Sequence, residues 1–379
     1  MNIRFTLALT AFTIAACENV VTAPSNASTL SLSAAADRAP GAVYTLTNQP
    51  SGNGVAIFHR AADGRLAYAG TEPTGGIGTG SGLGSQGAVV VSDDGRHLLA
   101  VNAGSDDISL FAVTEDGLSL VQRIASGGIR PVSIAIRHGV VFVLNAGATG
   151  NIAGFTLGAN GQLSPIVGSS RPLSAPNAGA AQVSFAPDGG ALVVTERFTN
   201  AIVVYALDVI GVPGQPQVHA SSGTTPFGFD FTRTGTLVVS EASGGAPDAS
   251  AASSYIVRNG QLSLVTGSLG TTETAACWLV VSKNGRYAYT ANAGSSSITG
   301  YAVGPDGALT RLDEDGVTAS TGQASGATDL TVSGNGRFLY VLTNRANAVI
   351  GFRIRADGSL EPLTVAGGLP AGAVGLAAR

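Results

Sequence analysis

A strand–turn–strand unit repeats along this chain, and repetition at its period leaves few folds open. In its clearest copy, Trp278–Val303, the run WLVVS leads through the turn Lys283-Asn284-Gly285-Arg286 into YAYTANAG, and a second turn at Ser295–Ser297 leads into SITGYAV. Asn-Gly supplies the positive φ that a tight β-turn needs, at little steric cost. The flanking Val, Tyr, Thr and Ile favour a pleated, half-buried surface. A fourth strand is predicted around Leu309–Leu312. One such four-stranded sheet keeps two exposed edges and is not stable by itself.

Further copies are marked by their turn glycines. Gly95, Gly139, Gly189, Gly235, Gly285 and Gly336 follow one another at intervals of about 44 to 51 residues, the period of propeller blades rather than of helical or leucine-rich repeats. The ends of the chain supply a seventh blade. Gly41–Asn48 and Val55–Arg60 read as second and third strands with no first strand before them, and Ala371–Arg379 reads as a first strand with nothing after it. Joined, they complete a ring with no free edge. The expectation is an all-β, seven-bladed propeller of four-stranded antiparallel blades over 41–379.

Composition agrees. There are 53 glycines in 379 residues and only 12% charged side chains, as Gly-rich turns and apolar inter-blade strands require. A net charge of -4 and the lack of any Lys/Arg run exclude a nucleic-acid surface. No two histidines have metal-ligand spacing, and Asp313-Glu314-Asp315 lacks the spacing of a dedicated calcium loop. No metal or cofactor is expected.

Residues 1–16 read as a signal peptide: Arg4 provides the positive start, and the apolar run Phe5–Ala16 is too short to span a bilayer. Ile14-Ala15-Ala16-Cys17 is similar to the lipobox of bacterial lipoproteins, which implies a lipid on Cys17. An ordinary cleavage site with an incidental cysteine is the alternative. Residues 17–40 would then be the lipidated cysteine and a flexible Ser/Ala-rich tether. The expected protein is exported, periplasmic or held at the envelope by that anchor, monomeric, and bound to a small molecule rather than to nucleic acid. Cys277 reads as a small buried residue.

Aligning the blades on their turn glycines points to one face of the ring. The second strand ends, six or seven residues after the glycine, in Asn102, Asn145, Glu196, Glu241, Asn292 and Thr343, with Asn48 equivalent in the first blade. Asn there can cap the following turn. Glutamate is a poorer turn residue, so Glu196 and Glu241 stand out. On the first strands, seven residues before the glycine, come Gln182, Trp278 and Asp329, and five before it comes Asp230. Arg130, Arg197 and Arg345 fall in loops of the same face. The expectation is one pocket in which Glu196 and Glu241 converge with Gln182, Asp230 and Trp278, and to which Arg130, Asn145 and Asp329 also contribute. A solvated channel with charge pairs across it is the alternative.

The [Ser/Pro]-[Asp/Asn]-Gly-Arg turn and the Tyr-Val-x-Asn-like strand after it resemble the seven-bladed propeller lactonases, which include 6-phosphogluconolactonases and 3-carboxymuconate cyclases. The resemblance covers Gly41–Arg379. It implies hydrolysis of a small lactone, with Glu196 or Glu241 as general base and Arg197 or Arg130 facing the oxyanion. The family's proposed acid–base set includes a histidine on a first strand. Here that strand reads AQVSFAPDG, with Gln182 and Ser184 in its place, while Glu196 and Arg197 remain. A lipid-anchored propeller that binds a ligand or an envelope protein without chemistry is the second reading.

Overall fold

The computed structural model describes residues 41–115, 117–258 and 260–379. The signal peptide, the tether and Cys17 lie outside the described residues.

Local chemistry sets the hairpins. In the Lys283–Arg286 turn, Gly285 takes φ 73°, and its N–H donates to Ser282 O at 2.8 Å. Asn284 Oδ1 accepts from Arg286 N at 3.0 Å and from Ser282 Oγ at 2.7 Å. The turn thus closes on its own side chains, and Tyr287–Asn292 pairs antiparallel with both Ala276–Val281 and Ser297–Val303. The same logic, repeated, makes seven antiparallel sheets. A short 3-10 turn at Ser243–Gly245 is the one helical segment among the described residues. No helix among them is long and apolar enough to cross a membrane.

The innermost strands, in blade order, are Val374–Ala378, Val89–Val91, Pro131–Arg137, Ala180–Phe185, Pro226–Phe231, Ala276–Val281 and Ala327–Val332. Each touches the innermost strand of both neighbours, so the ring is complete. The expected seam is present. Gly41–Leu46 pairs with Gly54–Arg60 on one side and with Val374–Ala378 on the other. The core lies between blades, where Phe111, Phe142, Tyr205, Phe229, Tyr289, Tyr301 and Phe338 are fully buried.

Candidate functional site

An innermost strand presents unpaired N–H and C=O groups along its inner edge, and in the interior these must find partners. Side chains from neighbouring blades supply them. Ser133 Oγ accepts from Val183 N at 3.2 Å. Gln182 accepts from Phe229 N at 2.8 Å and donates to Phe229 O at 2.9 Å. Asp230 accepts from Val281 N at 2.8 Å and from Phe231 N at 2.7 Å. Gln182 and Asp230, expected as ligand contacts, therefore stitch blade to blade. Burial raises the Asp230 pKa against these backbone bonds and the nearby Lys283 charge.

The segment Gly80–Gly87, which links the outer strand of the first blade to the inner strand of the second, crosses the central opening. Asn48 anchors its start, donating to Ser81 O at 2.7 Å and to Gly372 O at 3.1 Å. Ser85 Oγ donates to Val132 O at 2.8 Å. Gln86 spans to the sixth blade, donating to Leu279 O at 2.7 Å and accepting from Leu279 N at 3.0 Å. Ordinary repeat alignment cannot reveal this crossing, because its partners are 193 residues away.

The crossing segment divides the opening. On the side of the expected site is a cavity of about 470 Å³, lined by Gly80–Ser85, Phe227, Trp278, Thr328, Asp329, Leu342, Asn344 and Gly372–Gly375. On the other side is a space of about 320 Å³ lined by Gln86, Gln182, Asp230, Lys283 and, again, Asp329. The first has the size of a small-molecule site.

Asp329 is 2% exposed and has φ 29°, an uncommon conformation for a side-chain-bearing residue. Its Oδ1 accepts from Leu330 N at 2.8 Å. Its Oδ2 is buried with no partner among the described residues; the Leu376 N–H is directed at the same carboxyl without closing a bond to Oδ2. Loss of water around the charged form dominates, and the carboxyl is pushed up to about 8.

Trp278 forms a wall of the cavity. Its Nε1 donates to Ser85 O at 2.9 Å, and its ring packs on Phe227 with centroids 5.0 Å apart. Arg197 packs against Phe227 and against Gly84 of the crossing segment. Its guanidinium lies over the Phe198 and Phe227 rings, at 5.0 and 5.4 Å from their centroids, and its Nε donates to Gly179 O at 3.2 Å. It forms no ion pair among the described residues. Burial lowers its pKa, and the Arg130 charge lowers it further. Arg130 is exposed on the same face, its backbone N–H held by Asp106 Oδ1 at 2.7 Å. Cys277, expected to be buried, is half-buried; loss of water around the thiolate pushes its thiol up to about 12, which disfavours a reactive thiolate.

Glu196 and Glu241 share the face but not a site. Both are 0% exposed, and neither lines the cavity. Glu196 accepts from Ser174 N at 2.9 Å, from Ser174 Oγ, and from Thr199 Oγ1 at 2.8 Å. Glu241 accepts from Gly223 N at 2.7 Å and from Ser253, Ser268 and Ser221 hydroxyls at 2.6, 2.7 and 3.3 Å. The equivalent Asn102 both accepts from Thr74 Oγ1 and donates to Asp107 and Ser109. A carboxylate only accepts, and glutamate stands in place of asparagine where each of these partners, N–H or hydroxyl, can donate. Asn145 likewise stays in the blade corner, donating to Ser126 O at 3.3 Å. Of the expected set, Trp278 and Asp329 meet in the cavity. The Gly80–Gly87 crossing and Asn344 were not foreseen.

Comparison with known proteins matches the chain to the family model described as lactonase, 7-bladed beta-propeller, over residues 53–171, 159–245 and 254–366. No curated protein matches it. Among solved structures, the periplasmic gluconolactonase of Pseudomonas aeruginosa superposes with a TM-score of 0.68 at 18% identity, covering 88% of this chain and 98% of that one. A Lactobacillus plantarum protein gives 0.73 at 16%, covering 89% and 99%. A Bacteroides fragilis protein assigned as a 6-phosphogluconolactonase gives 0.69 at 17%, covering 89% and 98%. Likeness at these identities speaks to the fold.

Proposed function

The chain belongs to the seven-bladed β-propeller lactonase family, and from that premise we propose that it hydrolyses a small lactone in the cavity around Asp329. The observation that carries this reading is the buried Asp329 carboxyl, one oxygen unpartnered, at the wall of a 470 Å³ space. A carboxyl that ionises near 8 can exchange a proton close to neutral pH.

In the reaction, a water oxygen bonds to the lactone carbonyl carbon as Asp329 takes a proton from that water. The negative charge moves to the carbonyl oxygen. The backbone N–H groups of Gly82, Leu83 and Gly84 have no acceptor among the described residues and are available as donors to it, with the Asn344 amide in the same lining. Collapse re-forms the carbonyl and breaks the ring C–O bond. The proton on Asp329 passes to the departing alkoxide, and the product is the open hydroxy acid. Glu196 and Glu241 serve the loops in this scheme, and Arg197 fixes Phe227.

The test is turnover of a lactone panel by the purified protein. Wild type should open at least one member, and Asp329→Asn should lower the rate at least about a hundredfold. A second reading, ligand binding without chemistry, draws on the same carboxyl: below about pH 8 it holds its proton and can donate it to a ligand oxygen. Binding without turnover of any lactone would select it.

We also place the protein at the cell envelope, exported and anchored through lipid on Cys17. Ile14–Cys17 supports this. Cys17→Ser should release the protein from the membrane fraction; unchanged association would refute the anchor.

A further inference from the structure

We infer that the ligand of the Asp329 cavity is an uncharged lactone carrying an apolar alkyl or aryl substituent, not a phosphorylated sugar lactone; this inference rests on the lactonase reading above. The lining is the argument. Phe227, Trp278, Leu83, Leu342 and Val374 give the cavity a predominantly apolar lining. No lysine or arginine lines it. A phosphate group needs cations or a dense set of N–H donors when it leaves water. The N–H groups of Gly82, Leu83 and Gly84, without an acceptor among the described residues, are the donors assigned above to the lactone carbonyl oxygen, and the one titratable group in the lining is a carboxyl. When Asp329 ionises, it repels a phosphate dianion.

Arg197 does not repair the deficit. Its guanidinium is spread over the Phe198 and Phe227 rings and its Nε is committed to Gly179 O; it abuts Gly84 of the crossing segment and is not itself a lining residue. Lys283 borders the other space, beyond the Gly80–Gly87 crossing. The polar groups of the lining, the Asp329, Asn344, Thr328 and serine side chains with the Gly82–Gly84 N–H groups, can orient one lactone ring. The aromatic and aliphatic walls are left for its substituent.

Two measurements test this. The first is kcat/KM for a δ-lactone with a five-carbon alkyl chain against glucono-δ-lactone and its 6-phosphate. Each buried methylene is worth roughly fourfold in binding, so the alkyl lactone should lead by at least about tenfold. An equal or better value for the phosphorylated lactone overturns the inference. The second measurement is independent of turnover. Trp278 is the chain's one tryptophan and it faces the cavity, so its fluorescence reports occupancy. The alkyl lactone should change it at concentrations at which 6-phosphogluconate does not. If no lactone is hydrolysed but this difference holds, the hydrolase reading falls and the ligand class stands. If 6-phosphogluconate binds as well as the alkyl lactone, or neither binds, the ligand class falls. Gly82 is exposed, has no positive φ and has open space where a side chain would project. Gly82→Lys should therefore add the missing cation and strengthen 6-phosphogluconate binding at least about fivefold. No gain would show that something other than missing charge excludes phosphate, and would overturn the argument.

Discussion

Asp329 and Glu196 are both buried carboxyl groups on one face, and their hydrogen bonds give them different chemistry. Glu196 has donors on both oxygens, whereas Asp329 Oδ2 has none. Glu196→Gln would set an NH2 against the Ser174 donors. It should cost about 1–3 kcal/mol in urea denaturation and leave lactone turnover within a few-fold of wild type; loss of turnover without loss of stability would return Glu196 to the reaction. Asp329 has the opposite signature. Its folded-state pKa is raised to about 8 from an unfolded value near 4. Between those values the folded protein holds a proton that the unfolded chain has lost. Stability therefore falls as pH rises through about 4 to 8 and levels off above. Asp329→Asn should remove this slope and be the more stable protein at pH 8, by on the order of a few kcal/mol. Its pH–rate profile should lose an inflection near 8, and identical melting temperatures for the two proteins across that range would sink the assignment. In the sequence, Glu196 and Glu241 were conspicuous because they differ from their repeat equivalents. That difference reflected the Ser/Thr-rich loops around them, which repeat alignment does not place. Asp329 looked like one of several polar residues on first strands; what distinguishes it is an oxygen left unpartnered, a property of the assembled ring.

The strands were legible because their causes are local. Asn284-Gly285 and its counterparts close hairpins through contacts within about five residues, and alternation then decides which side faces the next blade. The Gly80–Gly87 crossing was not legible, because glycine permits many paths and the path taken is selected by Leu279 across the ring. This element shapes the site: it forms one wall of the cavity, holds Trp278 through Ser85 O and separates the two spaces. Gln86→Ala would leave the Leu279 N–H and C=O, both in the interior, without these partners. The expected cost is about 2 kcal/mol or more in denaturation, with faster amide exchange at Leu279 and a red-shifted Trp278 emission. An unchanged emission spectrum and unchanged exchange would mean that the crossing is held by its other anchors alone.

At the scale of the whole molecule, the ring is closed by non-covalent pairing at one seam, between Gly41–Leu46 and Val374–Ala378. The last strand also contacts the innermost strands of the second and seventh blades, and its start with the two residues before it, Gly372–Gly375, lines the cavity. Removing Ala371–Arg379 would therefore act in three ways. It would bare an edge of the first blade along Val43, Tyr44 and Leu46, which are now buried. It would uncover the flanks of two neighbouring blades. It would also take away the Leu376 N–H that points at Asp329 and open the carboxyl to water. In an unclosed propeller, each blade next to the gap has lost half of its inter-blade burial, so the loss is shared around the ring rather than confined to the end of the chain. The truncated protein should lose on the order of 5 kcal/mol, a large part of a domain's typical stability. Its melting curve should shift down as a whole. Trp278, in the sixth blade and across the cavity from Gly372–Gly375, should report the same lowered midpoint as circular dichroism of the whole domain. A Trp278 transition that stays at the wild-type temperature while the ellipticity of the first blade is lost would show that the blades melt separately and that closure does not hold the molecule together.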